Sequence, residues 1–261
     1  MPRSRRTVAE PRAQTEGHDT PDRLSPVTEN YLLSLYKMWE DSEIPTLTQL
    51  TEALRQLPPT EGLGTSVPSV AGMLRRMQKL GLVDIGSDKR IRLTARGKKE
   101  GENIARRHRL AEWLVVSLLG MELHEAHIEA HQLEHGMSDA MEAKLMERLG
   151  NPTHSPFGWP IPGSGPTTPP PGAVTLDNAA AGTAYLVDRV PEEDAELLKF
   201  LGGAQLVPER RITLVEGMPY LGVMQVETEV DRISIGYNVA RQIVVRPAMD
   251  EEEGTAGRGD H

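Results

Sequence analysis

Residues 66–93, SVPSVAGMLRRMQKLGLVDIGSDKRIRL, read as one helix followed by one hairpin. Ser66 is an N-cap residue, and Pro68 stands in the first turn, where its missing N–H is not needed. Val70, Met73, Leu74, Met77 and Leu80 recur at three- and four-residue intervals and form one apolar stripe. Gly81 ends the helix. Beyond it, Leu82–Ile85 and Arg90–Leu93 flank the turn residues Gly86, Ser87 and Asp88, the pattern of a β-hairpin. Upstream, Thr28 is a candidate N-cap for a helix to Asp41, with Tyr31, Leu32, Leu35, Tyr36 and Trp39 on its apolar face. A second helix covers Thr48–Gln56. Three helices and a hairpin predict a winged helix-turn-helix.

The charge pattern agrees with that fold. The chain carries a net charge of −9, against a generally basic nucleic-acid binder. Between residues 66 and 109, however, twelve Lys and Arg face only four acidic residues. A basic helix and wing inside an acidic chain is an electrostatic footprint for the phosphates of double-stranded DNA. Ser66, Pro68, Ser69, Arg75 and Arg76 on the recognition helix, with Lys89 and Arg90 on the wing, are the candidate DNA contacts.

The remaining chain divides by composition. Residues 1–26 are polar, Arg- and Pro-rich, and read as a disordered arm. The winged unit occupies 27–97, and a helical unit 98–163. Thr94 caps a long helix that stops at Gly120, and helices over His124–Gly136 and Ser138–Leu149 follow. The apolar positions Leu110, Leu114, Val115, Leu118 and Leu119 exceed what these helices bury among themselves, which predicts a homodimer. A Pro/Gly/Thr-rich linker is expected over 164–178. Short alternating runs over 179–247, with one helix from Asp194 to Leu201, predict a small β-barrel. The acidic stretch 248–261 reads as a disordered tail. With no cysteine there is no disulfide framework and no thiolate site. No apolar run spans a bilayer and no signal-peptide core follows Met1, so the expectation is a cytoplasmic protein without a membrane partner.

His127, His131, Glu134 and His135 lie at i, i+4, i+7 and i+8 and point from one face of a helix. His108 and Glu112 share a face of the preceding helix by the same rule. Imidazoles and carboxylates converging this way hold a divalent transition metal. The alternative for the four residues is a solvated surface cluster. His131-Gln132-Leu133-Glu134-His135 also fits the H-x-x-E-H signature of inverted zinc proteases, with Glu134 as general base. Three fixed residues match often by chance, and no substrate-binding architecture surrounds them, so an enzyme with a small-molecule substrate is disfavoured. A metal-buffering protein would bind metal without operator DNA, and the basic helix and wing argue against it.

The order of these motifs resembles the diphtheria-toxin-repressor family of metal-dependent transcriptional regulators, including its manganese regulators of the MntR type. The resemblance is carried by Thr28-Glu29-Asn30-Tyr31-Leu32, by His108-Arg109-Leu110-Ala111-Glu112, by the His127–His135 spacing, and by Ser155-Pro156-Phe157-Gly158-Trp159-Pro160-Ile161-Pro162-Gly163. It covers about residues 30–163 and extends weakly to the β-unit as an FeoA-like domain. It implies one metal site of Asn30, His131, Glu134 and His135. It implies a second of His108, Glu112 and His127, with Asp188 and Glu192 from the third domain. Iron regulators of the family carry cysteine and methionine where this chain has His131 and Asn30, and manganese regulators carry carboxylates. An all N/O donor set suits hard ions, which points to Mn2+, with Fe2+ as the alternative. The loop from Pro58 to Gly64 is longer than the tight turn expected before a recognition helix.

Overall fold

The computed structural model describes residues 24–57 and 62–248. The expected arm up to residue 23, part of the Pro58–Gly64 loop and the expected acidic tail from residue 249 lie outside the described residues.

Helix α1 runs Pro26–Glu40. Its cap is Ser25, whose Oγ accepts from the Thr28 N–H at 3.4 Å, and not Thr28 itself. Pro26 at the first position makes the earlier start favourable, so the arm ends sooner than residue 26 and Thr28 lies buried inside the helix. Tyr31, Leu32, Leu35 and Tyr36 are buried as expected, but Trp39 is 44 % exposed. The Lys98 ammonium sits 3.9 Å over its ring, so Trp39 is covered by a cation and not by the core. Helix α2, Leu47–Gln56, opens on a capping box between Thr46 and Gln49. Helix α3, Val67–Lys79, is capped by Ser66 and buries Val70, Leu74 and Met77. Leu80, at its last turn, is 37 % exposed because the stripe has rotated off the core there. Strands β1 (Val83–Ile85) and β2 (Ile91–Leu93) pair antiparallel as the wing.

Thr94 caps α4, Ala95–Trp113. The helix continues as a π-helical turn over Leu114–Leu118 and stops at Gly120, which has φ 71°. Helices α5 (Leu123–Glu134) and α6 (Asp139–Arg148) complete the helical unit. The chain then folds back, with Phe157 and Ile161 fully buried.

The third unit holds β3 (Val174–Thr175), β4 (Thr183–Arg189), α7 (Ala195–Gly203), β5 (Arg211–Met218), β6 (Val223–Glu227), β7 (Arg232–Gly236), α8 (Tyr237–Ala240) and β8 (Val244–Pro247). The strands form one antiparallel sheet in the order β3-β8-β4-β5-β6-β7. Strand β3 and a 3-10 turn at Leu176–Asn178 fall inside the stretch read as linker. A two-residue strand shows no alternation, so surrounding Pro and Gly hid it, yet Leu176 is fully buried in the core of this unit.

One apolar core joins the sheet to the helical unit, since Val115, Ala126, Phe157 and Trp159 cluster with Val187, Val190 and Leu201. The Val190 N–H donates to the Phe157 carbonyl at 3.0 Å. At Gly158 (φ 90°) an added Cβ would lie 1.9 Å from the Asp188 carbonyl oxygen. Backbone-to-backbone contact of this closeness holds β4 and the loop after it against the helical unit. Among the described residues no helix is long and apolar enough to cross a membrane.

Candidate metal centre

Four segments meet between α1, α4, α5 and the β4–α7 loop. Helix α4 brings His108 and Glu112, one turn apart on its buried face. Helix α5 brings His127, His131 and Glu134, with His135 as its C-cap. Helix α1 supplies Asn30, fully buried, and the loop supplies Glu192. Donor atoms of His108, Glu112, His127 and Glu192 all lie within 4.8 Å of one another, and so do those of His108, His127 and His131. His108 Nε2 is 3.0 Å from Glu112 and 3.2 Å from His127 Nδ1.

The other predicted set is arranged differently. Glu134 lies 3.4 Å from His131 Nδ1 and 3.5 Å from His135 Nε2 through one oxygen. Its second oxygen is turned to His108 Nδ1 at 2.5 Å. His135 Nδ1 is 2.7 Å from Glu29, a buried carboxylate in the first turn of α1. His108 thus bridges the two predicted sites. Asp188 does not join either of them. It sits on β4 and pairs at 3.5 Å with Arg246 on the neighbouring β8, away from the histidines. Asp188 is fixed near the end of the ladder on β4, whereas Glu192 lies beyond the end of that strand, in the loop that turns back towards the helical unit.

Burial sets the protonation pattern. It drives the His127 imidazolium down to about 4 and lowers His131 as well, so both rings are neutral. Burial opposes ionisation of Glu134, but His108 and His131 outweigh it and hold its carboxyl down to about 2. Glu112 is also held below its ordinary value, mainly by His108 acting against burial. Two neutral imidazoles beside two carboxylates are ligands in their binding form. Glu112 Oε2 and His131 Nε2 are buried with no hydrogen-bond partner among the described residues. Buried polar atoms in that state are uncommon without a ligand to meet them. The residues therefore fit a divalent cation.

Sequence reading missed Glu29 and Lys37. Lys37 is buried on α1, two turns after Asn30, and its ammonium lies 2.6 Å from Glu192 and 2.9 Å from Glu193. Burial opposes that charge, and the two carboxylates hold it ionised. Its seven-residue spacing from Asn30 was the available signal.

On the winged unit, Ser66, Pro68, Ser69, Arg75, Arg76 and Lys89 are all exposed. Arg90 is exposed as well; one of its guanidinium nitrogens donates to the Ile44 carbonyl at 2.5 Å and its backbone bridges to Thr46. Five of the basic residues counted into the footprint, Lys98, Lys99, Arg106, Arg107 and Arg109, belong to the helical unit, and its three arginines are paired with carboxylates. Arg109 is buried in a bidentate pair with Glu40, Arg106 pairs with Glu142, and Arg107 with Asp139. Spacing along a helix does not say which arginines are turned inward to carboxylates.

A family model described as iron dependent repressor, metal binding and dimerisation domain, matches residues 94–163, and an FeoA domain model matches 174–247. The iron-dependent repressor IdeR of Mycobacterium tuberculosis is 34% identical over 236 residues, covering 86% of this chain and 98% of that protein. The diphtheria toxin repressor of Corynebacterium diphtheriae is 36% identical over 136 residues, covering 52% of this chain and 56% of that one. A solved manganese-dependent transcriptional repressor in complex with manganese superposes with a TM-score of 0.71 at 27% identity, covering 85% of this chain and 100% of that chain.

Proposed function

The chain belongs to the iron-dependent-repressor family of metal-dependent transcriptional regulators, and from that premise we propose that it binds operator DNA as a homodimer under control of Mn2+. The observation that carries the metal reading is the buried cluster of His108, Glu112, His127 and Glu192, in which Glu112 Oε2 is buried with no hydrogen-bond partner among the described residues. These four would hold one ion. Asn30, His131, Glu134 and His135 would hold a second, after Glu134 turns from His108 and His135 from Glu29. The ion would supply concentrated positive charge that lets Asn30 on α1 and the α5 ligands share one point. Asn30 would then tie α1, and with it α3, to the helical unit at a fixed angle. In a dimer that angle sets the distance between two recognition helices, which must match half-sites a helical turn or more apart. The ion-bound arrangement is the DNA-competent one, so binding shifts the population towards it. Ser66, Pro68 and Ser69 at the N-terminus of α3, with Arg75, Arg76 and Lys89, are the proposed DNA contacts. Arg90, which braces the wing against the α1–α2 loop through one guanidinium nitrogen, joins them from the exposed side of the wing.

Fe2+ is the second reading, favoured by the relatives whose names state iron dependence. The donor set, nitrogen and oxygen without sulfur, favours Mn2+. Selection of the full chain on a random duplex pool, with Mn2+, Fe2+ or Zn2+, tests both. We expect Mn2+-dependent enrichment that Glu134→Ala abolishes. Arg75→Ala should lower the salt slope of binding by about one. Enrichment without metal, or an unchanged response in Glu134→Ala, contradicts the assignment.

A further inference from the structure

We propose that Lys37 is an internal counter-cation that competes with the metal for Glu192 and so sets the concentration at which the second site fills. The inference rests on the assignment of Glu192 as a ligand of that site. The Lys37 ammonium is 2.6 Å from the carboxylate of Glu192, one oxygen of which lies within 4.8 Å of donor atoms of His108, Glu112 and His127. Both side chains are nearly excluded from solvent, with Lys37 at 10 % and Glu192 at 2 %. In so dry a place two cations do not share one carboxylate without strong repulsion. Lys37 must therefore withdraw from Glu192 when that carboxylate ligates. Glu193, 2.9 Å from the same ammonium and half exposed, is placed to keep it. The exchange has a mechanical side. Lys37 lies on α1, and Glu192 and Glu193 lie in the β4–α7 loop, so the ion pair latches the DNA-binding unit to the third unit. Lys37 is seven residues from Asn30 and so on nearly the same face of α1. Filling the second site slackens the latch on the helix that the first site must reposition.

The test is calorimetric titration of the full chain with Mn2+, in wild type, Lys37→Met, Glu192→Gln and the double variant, with thermal unfolding in chelator alongside. Lys37→Met should tighten one class of site by at least about tenfold, equivalent to ~1.4 kcal/mol, and lower the metal-free melting temperature. Glu192→Gln should weaken that same class, and in its background Lys37→Met should change affinity little. Lys37→Gln, which keeps a donor for both carboxylates, should show the same direction more weakly and covers the case where the Met variant does not fold. An unchanged isotherm for the Lys37 variants, or equal tightening with and without Glu192, overturns the proposal while leaving the site in place. Wild-type binding at both classes in Glu192→Gln instead removes the site assignment, and the proposal with it.

Discussion

His108 is the residue on which the two predicted sites turn. It stands between Glu112 and Glu134, and the two carboxylates favour its protonated form. Burial opposes that charge, but the two carboxylates outweigh it and hold the imidazolium up to about 10, against an ordinary 6.5. A raised value of this kind contributes stability in full below about 6.5, and the contribution is lost as pH rises through about 10. Imidazole ligates only when neutral, so metal uptake near neutral pH must expel this proton. We expect about one proton released per chain from His108, and Mn2+ affinity that climbs with pH until about 10. Calorimetry near neutral pH in two buffers of different ionisation heat measures it. Equal heats in both buffers would mean that His108 is not an imidazolium. The residue types and their helical spacing were legible in the sequence. The partner that His108 selects was not, because an i,i+4 rule fixes a face and not a hydrogen bond.

At the scale of elements, the Phe157–Gly158 corner decides where the third unit sits. Gly158 has φ 90° and faces the Asp188 carbonyl, so a side chain there meets both left-handed backbone strain and a clash. Gly158→Ala should destabilise by roughly 2 kcal/mol or more. It should also break the Val190–Phe157 hydrogen bond and carry Glu192 away from the histidines. Urea unfolding gives the first number, and amide exchange at Val190 reads the second. Wild-type protection at Val190 in a folded variant would show that the corner is not what docks β4. The segment was legible as a motif, but its partner was not, since that contact spans about thirty residues and passes backbone to backbone.

For the whole molecule, only part of the expected apolar surplus of the helical unit reaches the surface. Leu110 and Val115 are fully buried, Val115 against the third unit, and Leu114 is partly buried, while Leu118 and Leu119 stay exposed. Leu119 is 63 % exposed, and Leu118, Ile128, Leu133 and Met141 are also exposed on the π-helical turn, α5 and α6. Burying one leucine contributes about 1.5–3 kcal/mol, so such a set is costly to leave in water. We expect Leu119→Lys to weaken self-association by at least about tenfold. Sedimentation across a concentration range reads this directly. A wild-type profile for Leu119→Lys would place the dimer contact elsewhere.

Local rules sufficed for the helices, the wing, the caps at Ser66, Thr94 and Ser138, and the one-face array of His127, His131, Glu134 and His135. Each depends on residues within a turn or two, where spacing determines direction. Only the tertiary structure decided which charges are paired. Arg109 closes on Glu40, Arg90 on the Ile44 carbonyl and Lys37 on Glu192, across 69, 46 and 155 residues respectively. It also decided that Glu192, and not Asp188, joins the histidines. A charge finds its partner through the burial that forces desolvation, and burial is a property of the packed chain.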